Sequence, residues 1–122
     1  MSKEAIEKKI QMYFDAVYEG DGQAILKVFH ASSHVYGHTE NGELADWPAE
    51  VFSQRINSAV STKSLGIEPV HKIYSIDFTG DNTAVAKVGL RVRETMFTDI
   101  LSFICLNGEW FIIAKVFAGI KV

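Results

Sequence analysis

Four strand-like segments fill the second half of this 122-residue chain, and only short turns separate them. The segments are rich in β-branched and aromatic residues and run over 70–78, 83–93, 97–106 and 110–117. The turns between them are Gly80-Asp81-Asn82, Glu94-Thr95-Met96 and Asn107-Gly108. Because connections this short join antiparallel neighbours, the second half is predicted to form a β-meander.

The first half shows the residue spacing of amphipathic helices instead. In the first helix, apolar side chains recur every three or four residues, at Ile6, Ile10, Tyr13, Phe14 and Val17. Ser2 is the candidate N-cap of this helix, and Gly20 fits its C-terminal end. Asp21 is then placed to cap a second, shorter helix that buries Ile25, Val28 and Phe29.

A short hairpin and a third helix complete the first half. The segment 34–38 reads as a strand, and Asn41-Gly42 is a strong hairpin signal, so 43–45 is predicted to be its partner strand. The third helix is predicted to begin at Trp47-Pro48, because proline is favoured in the first helical turn. Its inner face would carry Val51, Phe52, Ile56 and Ala59.

Composition and charge favour one globular domain spanning residues 1–122, with 48% hydrophobic and 22% charged residues. A net charge of −3 lacks the basic excess of a nucleic-acid binder, so no nucleic-acid partner is expected. The lone Cys105 cannot form an intramolecular disulfide. Residues 100–106, the most apolar stretch, are far shorter than a membrane span, and the charged first nine residues do not fit a signal peptide. We therefore expect a cytoplasmic protein with no membrane partner.

The last hairpin predicts which residues share a face of the sheet. A two-residue turn at Asn107-Gly108 pairs Leu106 with Glu109 and Ile100 with Lys115. One face would then carry Thr98, Ile100, Ser102, Ile104, Phe111, Ile113, Lys115 and Phe117. The other would carry Phe97, Asp99, Leu101, Phe103, Cys105, Trp110, Ile112, Ala114 and Val116.

Both of these faces are apolar, and three helices can cover only one of them. The second face therefore predicts a homodimer formed through the sheet. The centre of that interface is predicted at Leu101, Phe103, Trp110, Ile112 and Val116. Asp99, on the same face, is predicted to form a cross-strand ion pair with Arg91 or Arg93.

Several motifs resemble those of the nuclear transport factor 2-like superfamily. Residues 13–17 with Glu19-Gly20-Asp21 look like the first-helix signature of its steroid-isomerase-type members, and 28–37 look like their second helix and first strand. Residues 41–44, 97–102, 107–110 and 115–117 are most similar to the branch called putative lumazine-binding. The resemblance implies an α+β, cystatin-like fold in which three N-terminal helices pack on a curved, mainly antiparallel sheet. That sheet forms a cone with an internal pocket.

Steroid-isomerase-type chemistry needs a carboxylate base and two donors that stabilise an enolate. The resemblance implies a donor at Tyr13, but it places the base at Gly37 and the second donor at Ser102. Because only one role is retained, a small-molecule-binding protein with an apolar pocket is the first hypothesis. The alternative is an enzyme of the isomerase, dehydratase or cyclase type that acts on a small aromatic or polyketide-like substrate, with catalytic residues unassigned. A third hypothesis is a subunit that serves interactions alone.

The candidate ligand-binding residues are Tyr13, Trp47, Ser102, Lys115 and Phe117. Lys115 stands out because an unpaired ammonium among apolar side chains is costly, so it reaches the rim, pairs with a carboxylate or meets an anionic ligand. Trp47 would either cover the pocket or attach the third helix to the core. No metal site is expected, because His34 and His38 lie about 13 Å apart on an extended strand. No cofactor motif is present in the sequence, so no cofactor is expected.

Overall fold

The computed structural model describes residues 2–122, which form three α-helices and six strands. The helices are α1 (Ser2–Glu19), α2 (Gly22–Val28) and α3 (Ala49–Ser58), and a 3₁₀ turn follows at Lys63–Leu65. The strands are β1 (Phe29–His38), β2 (Leu44–Pro48), β3 (His71–Thr79), β4 (Thr83–Val92), β5 (Thr95–Leu106) and β6 (Glu109–Lys121). None of the described helices is both long and apolar enough to span a bilayer.

The strands form one open, curved sheet in the order β2-β1-β6-β5-β4-β3. All neighbouring strands are antiparallel except β1 and β6, which run parallel. The predicted α+β fold is therefore confirmed, including the meander of the second half. Several boundaries differ from the prediction. Trp47 and Pro48 end β2, so α3 begins at Ala49. The first strand already begins at Phe29, β5 begins at Thr95 and β6 extends to Lys121.

The predictions for α1 and for the cap of α2 are confirmed because local signals set them. The apolar stripe of α1 is buried at Ile6, Ile10, Tyr13, Phe14 and Val17. The chain leaves α1 through Gly20, whose φ of 72° lies in the left-handed region that favours glycine. The Asp21 carboxylate then accepts a hydrogen bond from the Ala24 amide at 3.1 Å and caps α2.

Other helix predictions are wrong: Phe29 begins β1 and does not belong to α2. Of the residues predicted on the inner face of α3, Val51 is 39% exposed and Ala59 lies beyond the end of the helix.

A β-bulge in β6 decides which residues share a face. Phe103 pairs with Ile112, as the two-residue turn requires, but Ser102 pairs with Ala114. Ile113 is therefore an extra residue on β6. Beyond it the alternation of β6 is inverted, so Lys115 lies on the same face as Ile112.

The predicted dimer interface is wrong because the helices cover the face of the sheet that was expected to be free. The face covered by the helices carries Leu101, Phe103, Trp110 and Ile112, which are 0%, 2%, 6% and 0% exposed within the single chain. These four residues belong to the core and cannot form the centre of an interface between subunits. Val116 alone of the predicted set lies on the opposite face, where it is 51% exposed. Cys105 also packs against the core and not on an outer surface.

Candidate functional site

A cavity of about 470 Å³ lies between α1, α3 and the helix-covered face of the sheet. Most of its wall is apolar or aromatic, with Val17, Ile56, Leu90, Phe52 and Phe97 among the lining residues. The Tyr13 hydroxyl and the charged side chains of the cavity fall into two groups. One group, Tyr13, Asp99 and Lys115, lies at the buried end, and the other, Arg55 and Arg93, lies at the more exposed side.

Three separate elements bring the buried polar group together. Tyr13 comes from the middle of α1, Asp99 from β5 and Lys115 from β6 beyond the bulge. Because Asp99 pairs with Phe117 and Leu101 pairs with Lys115, the carboxylate and the amine are diagonal neighbours on one face. The three residues are 1%, 0% and 6% exposed.

A chain of hydrogen bonds joins these three side chains. The Tyr13 hydroxyl donates to Asp99 Oδ2, and Lys115 Nζ donates to the Tyr13 hydroxyl at 2.7 Å. Lys115 Nζ also lies 3.6 Å from Asp99 Oδ2, so the amine and the carboxylate form a buried ion pair. We refer to these three residues as the polar triad.

Burial and mutual charge shift the proton affinities of the triad. Burial raises the pKa of Tyr13 well above its usual value, and the neighbouring Asp99 raises it further, so the phenol keeps its proton. Burial lowers the pKa of Lys115, although Asp99 partly opposes this shift. The Lys115 Nζ atom also lies 4.3 Å from the centroid of the Phe52 ring, a cation–π distance.

One carboxylate oxygen of the triad has no hydrogen-bond partner in the described part of the chain. Asp99 Oδ1 is buried and accepts no hydrogen bond from residues 2–122. A buried acceptor without a donor costs free energy, and Asp99 lies on the cavity wall. A ligand with a suitably placed N–H or O–H group would satisfy it.

The exposed side of the cavity combines an aromatic stack with two arginines. The Arg55 guanidinium lies 4.1 Å from the centroid of the Trp47 ring, which stacks on Phe117 at 5.7 Å. Arg93 has a φ of 54° and donates from Nη1 to the Val60 carbonyl at 3.0 Å. This rim presents positive charge beside flat aromatic surfaces.

Four of the five residues predicted to bind a ligand line the cavity, namely Tyr13, Trp47, Lys115 and Phe117. The placement of Ser102 there was wrong. Ser102 lies three positions from Asp99 along β5, and successive side chains alternate, so it lies on the opposite face. It pairs there with Val85 and Ala114.

Sequence reasoning missed Asp99 as a member of the site. The predicted ion pair with Arg91 or Arg93 does not form, because Asp99 lies on the cavity side and Arg91 Nε donates to the Arg93 carbonyl at 2.7 Å. Arg55, Arg93 and Phe52 were also missed as lining residues. The sequence did contain a signal for Asp99, because it is a lone carboxylate within an apolar strand. We did not assign it to the site because its face of the sheet was predicted to lie outside.

The histidines do not build a metal site in the described part of the chain. His34 Nδ1 lies 2.5 Å from Asp46 Oδ1, across the pair of β1 and β2. Within residues 2–122, no three His, Cys, Asp or Glu side chains converge as metal ligands would.

Comparison with known proteins identifies the family. The model of the family described as putative lumazine-binding matches residues 1–118. The chain belongs to this family. No curated protein matches the chain, so the putative lumazine-binding family is the source of functional comparison.

Several solved structures have the same fold as this chain. A nuclear transport factor 2-like protein of unknown function from Shewanella baltica superposes with a TM-score of 0.90 at 18% identity, over 99% of this chain and 95% of that one. A similar protein from Silicibacter pomeroyi gives 0.85 at 24% identity, over 98% and 99%. A ketosteroid isomerase-like protein from Erwinia carotovora gives 0.74 at 12% identity, over 97% and 95%. At these identities the likeness establishes the fold alone.

Proposed function

We propose that this member of the putative lumazine-binding family binds a small, flat heteroaromatic molecule in the cavity between α1, α3 and the sheet. The observation that carries the proposal is the polar triad at the buried end of a cavity with apolar and aromatic walls. Ligand sites commonly combine such walls with a few converging polar groups, and 470 Å³ lies within their usual range.

The triad favours a ligand edge that carries a donor beside an acceptor. Lys115 Nζ can donate to a ligand carbonyl, and Asp99 Oδ1 can accept from a neighbouring ring N–H. Lumazine, a bicyclic pteridinedione, has ring N–H groups beside carbonyl groups, in agreement with the family description. The Trp47 and Phe117 rings offer flat surfaces for stacking against such a ligand.

An enzyme of the isomerase, dehydratase or cyclase type is the second candidate, and the Tyr13–Asp99 contact favours it. The same two residue types can serve as paired donors to an enolate oxygen. Against it, the Tyr13 hydroxyl already donates its hydrogen bond to Asp99 and not to a ligand oxygen. The position that the resemblance assigns to the base is Gly37, which has no side chain. A bell-shaped pH dependence of turnover would favour this candidate.

We also propose a homodimer formed through the sheet face opposite the helices. This face exposes Val85, Ile100 and Val116, and Phe111 and Ile113 are half-buried on or beside it. An exposed apolar sheet face of this kind is typical of an interface between subunits. A cytoplasmic location and the absence of a nucleic-acid partner stay predictions from composition.

Titration calorimetry with lumazine tests the binding proposal. Wild-type protein should bind, and Asp99→Asn should weaken binding by about tenfold or more, because one acceptor becomes a donor. Ser102→Ala is the matched control on the same strand, and it should leave binding unchanged because Ser102 lies on the other face. Absence of binding to wild-type protein, or an equal loss in both variants, would contradict the proposal.

A further inference from the structure

Lys115 is the one primary amine among the described residues that line the cavity. It is 6% exposed, and its amine is the only group of the triad that can act as a nitrogen nucleophile. All other lysines of residues 2–122 lie outside the cavity lining. An amine held in an apolar, water-poor site is the setting in which lysines form imines with carbonyl compounds.

The neighbours of Lys115 supply the proton transfers that imine formation needs. Its Nζ lies 2.7 Å from the Tyr13 hydroxyl, which in turn donates to Asp99 Oδ2. A proton leaving the ammonium can therefore pass through Tyr13 to the carboxylate and return along the same path. Burial also lowers the pKa of Lys115, which enlarges the fraction of neutral amine at neutral pH.

We propose that Lys115 captures aldehydes and ketones covalently as an imine inside this cavity. The proposal rests on the cavity being the ligand site, and it adds a reaction to binding. The neutral amine attacks the carbonyl carbon, a C–N bond forms, and the carbonyl oxygen takes a proton to give a carbinolamine. That hydroxyl is protonated and leaves as water, and the C=N bond of a protonated imine forms. One carbonyl compound and one ammonium thus give one protonated imine and one water.

The cavity wall selects the class of carbonyl compound. Phe52 and Phe117 flank the Lys115 amine, with ring centroids 4.3 and 5.5 Å from Nζ. Flat aromatic aldehydes and ketones fit between such rings better than branched aliphatic ones. The reaction is reversible, since water can hydrolyse the imine.

Reductive trapping of the wild-type protein tests the proposal without relying on any variant. Benzaldehyde and sodium cyanoborohydride are added at pH 7, hydride from the reductant converts the imine to a stable secondary amine, and peptide mass mapping locates the benzyl group. Lys115 should be labelled faster than the exposed Lys27, because its lowered pKa leaves a larger fraction of neutral amine and Tyr13 relays the protons. Labelling of Lys115 no faster than Lys27 would overturn the proposal.

Two further measurements separate this proposal from simple binding. Lumazine should protect Lys115 but not Lys27, and Tyr13→Phe should slow labelling of Lys115 alone because the proton path is broken. An unchanged rate in Tyr13→Phe would overturn the proton path through that hydroxyl. If calorimetry shows lumazine binding but Lys115 is not labelled, imine capture is overturned and the binding proposal stands. Rapid labelling of Lys115 without lumazine binding would support capture and contradict lumazine as the ligand.

Discussion

The ring of Phe117 occupies the space beside Gly37, so that a Cβ atom added at Gly37 would lie 2.3 Å from Phe117 Cζ. The position that the family resemblance assigns to a catalytic base therefore cannot carry a side chain while Phe117 keeps its place. Phe117 also stacks on Trp47 and contacts Phe97 edge-on. Glycine at position 37 leaves room for the Phe117 ring, which forms part of the aromatic wall of the cavity. A ring at this place, where the resemblance expects a base, favours ligand binding over carbon-acid chemistry.

Replacement of Gly37 should be costly only while the Phe117 ring is present. Gly37→Ala is expected to reduce the free energy of unfolding by about 1–3 kcal/mol, as overpacking does, because the ring must move. In a Phe117→Ala background the same change should cost much less. Urea unfolding of the wild type, both single variants and the double variant gives the coupling energy. Equal costs in both backgrounds would mean that the ring is not the obstacle.

The fold could be predicted from the sequence because local signals specify it. The stripe of α1, the Asp21 cap and the Asn107-Gly108 turn each involve residues close together in the chain. The faces of β5 and β6 could not be predicted as well, because one extra residue at Ile113 inverts the alternation. Residues 110–114 are apolar without interruption, so the sequence there contains no mark of the bulge.

The same bulge limited what could be predicted of the site. Tyr13 was predicted from the resemblance, Trp47 from its place before the third helix, and Lys115 and Phe117 from the register of a regular hairpin. All four line the cavity. A regular hairpin would place Asp99 and Lys115 on opposite faces. Only the bulge brings both to one face, where Tyr13 joins them.

Truncations on β5 should distinguish the core face from the outer face. Phe103 is 2% exposed in the core, and Ile100 is 39% exposed on the other side of the same strand. Phe103→Ala should therefore reduce the free energy of unfolding by about 3–5 kcal/mol, whereas Ile100→Ala should cost clearly less. Chemical denaturation at concentrations low enough to keep single chains apart checks this. If Ile100→Ala reduced the free energy of unfolding more than Phe103→Ala, the helices would cover the Ile100 face, as the sequence predicted.

Removal of one charge of the triad should destabilise the fold more than removal of both charges. Asp99→Leu leaves the Lys115 ammonium buried without its carboxylate, and a loss of about 3–5 kcal/mol is expected. Adding Lys115→Met to that variant should restore most of the stability, because two apolar side chains of similar size then fill the site. Thermal and urea unfolding of the two variants measure the difference. A double variant less stable than Asp99→Leu would show that the ammonium tolerates isolation.

The stability of the protein should fall in mild acid because of His71. This ring stacks on Phe14 at 4.4 Å, and burial lowers its pKa from 6.5, although Asp15 partly opposes the shift. Between 6.5 and the lower folded value the unfolded chain binds more protons, so stability is lost as the pH falls through that window. His71→Gln should flatten the dependence of the urea midpoint on pH between about 7 and 5.5. His38→Gln, at an exposed position, is the control and should leave the slope intact.

The outer sheet face should hold two copies of the chain together. Ile100 and Val116 are cross-strand partners that are 39% and 51% exposed, and Val85 on β4 is 38% exposed. A carboxylate at this face would be buried without a partner in a dimer, at a cost of several kcal/mol. Val116→Glu should therefore convert a dimer into single chains.

Val51→Glu on α3 is the matched control, because Val51 is 39% exposed and lies on a helix away from that face. Sedimentation velocity at micromolar concentration should give twice the chain mass for the wild type and for Val51→Glu, and the single-chain mass for Val116→Glu. A wild-type protein that sediments as one chain would refute the dimer. Dissociation by Val51→Glu, with Val116→Glu still dimeric, would move the interface to the helices.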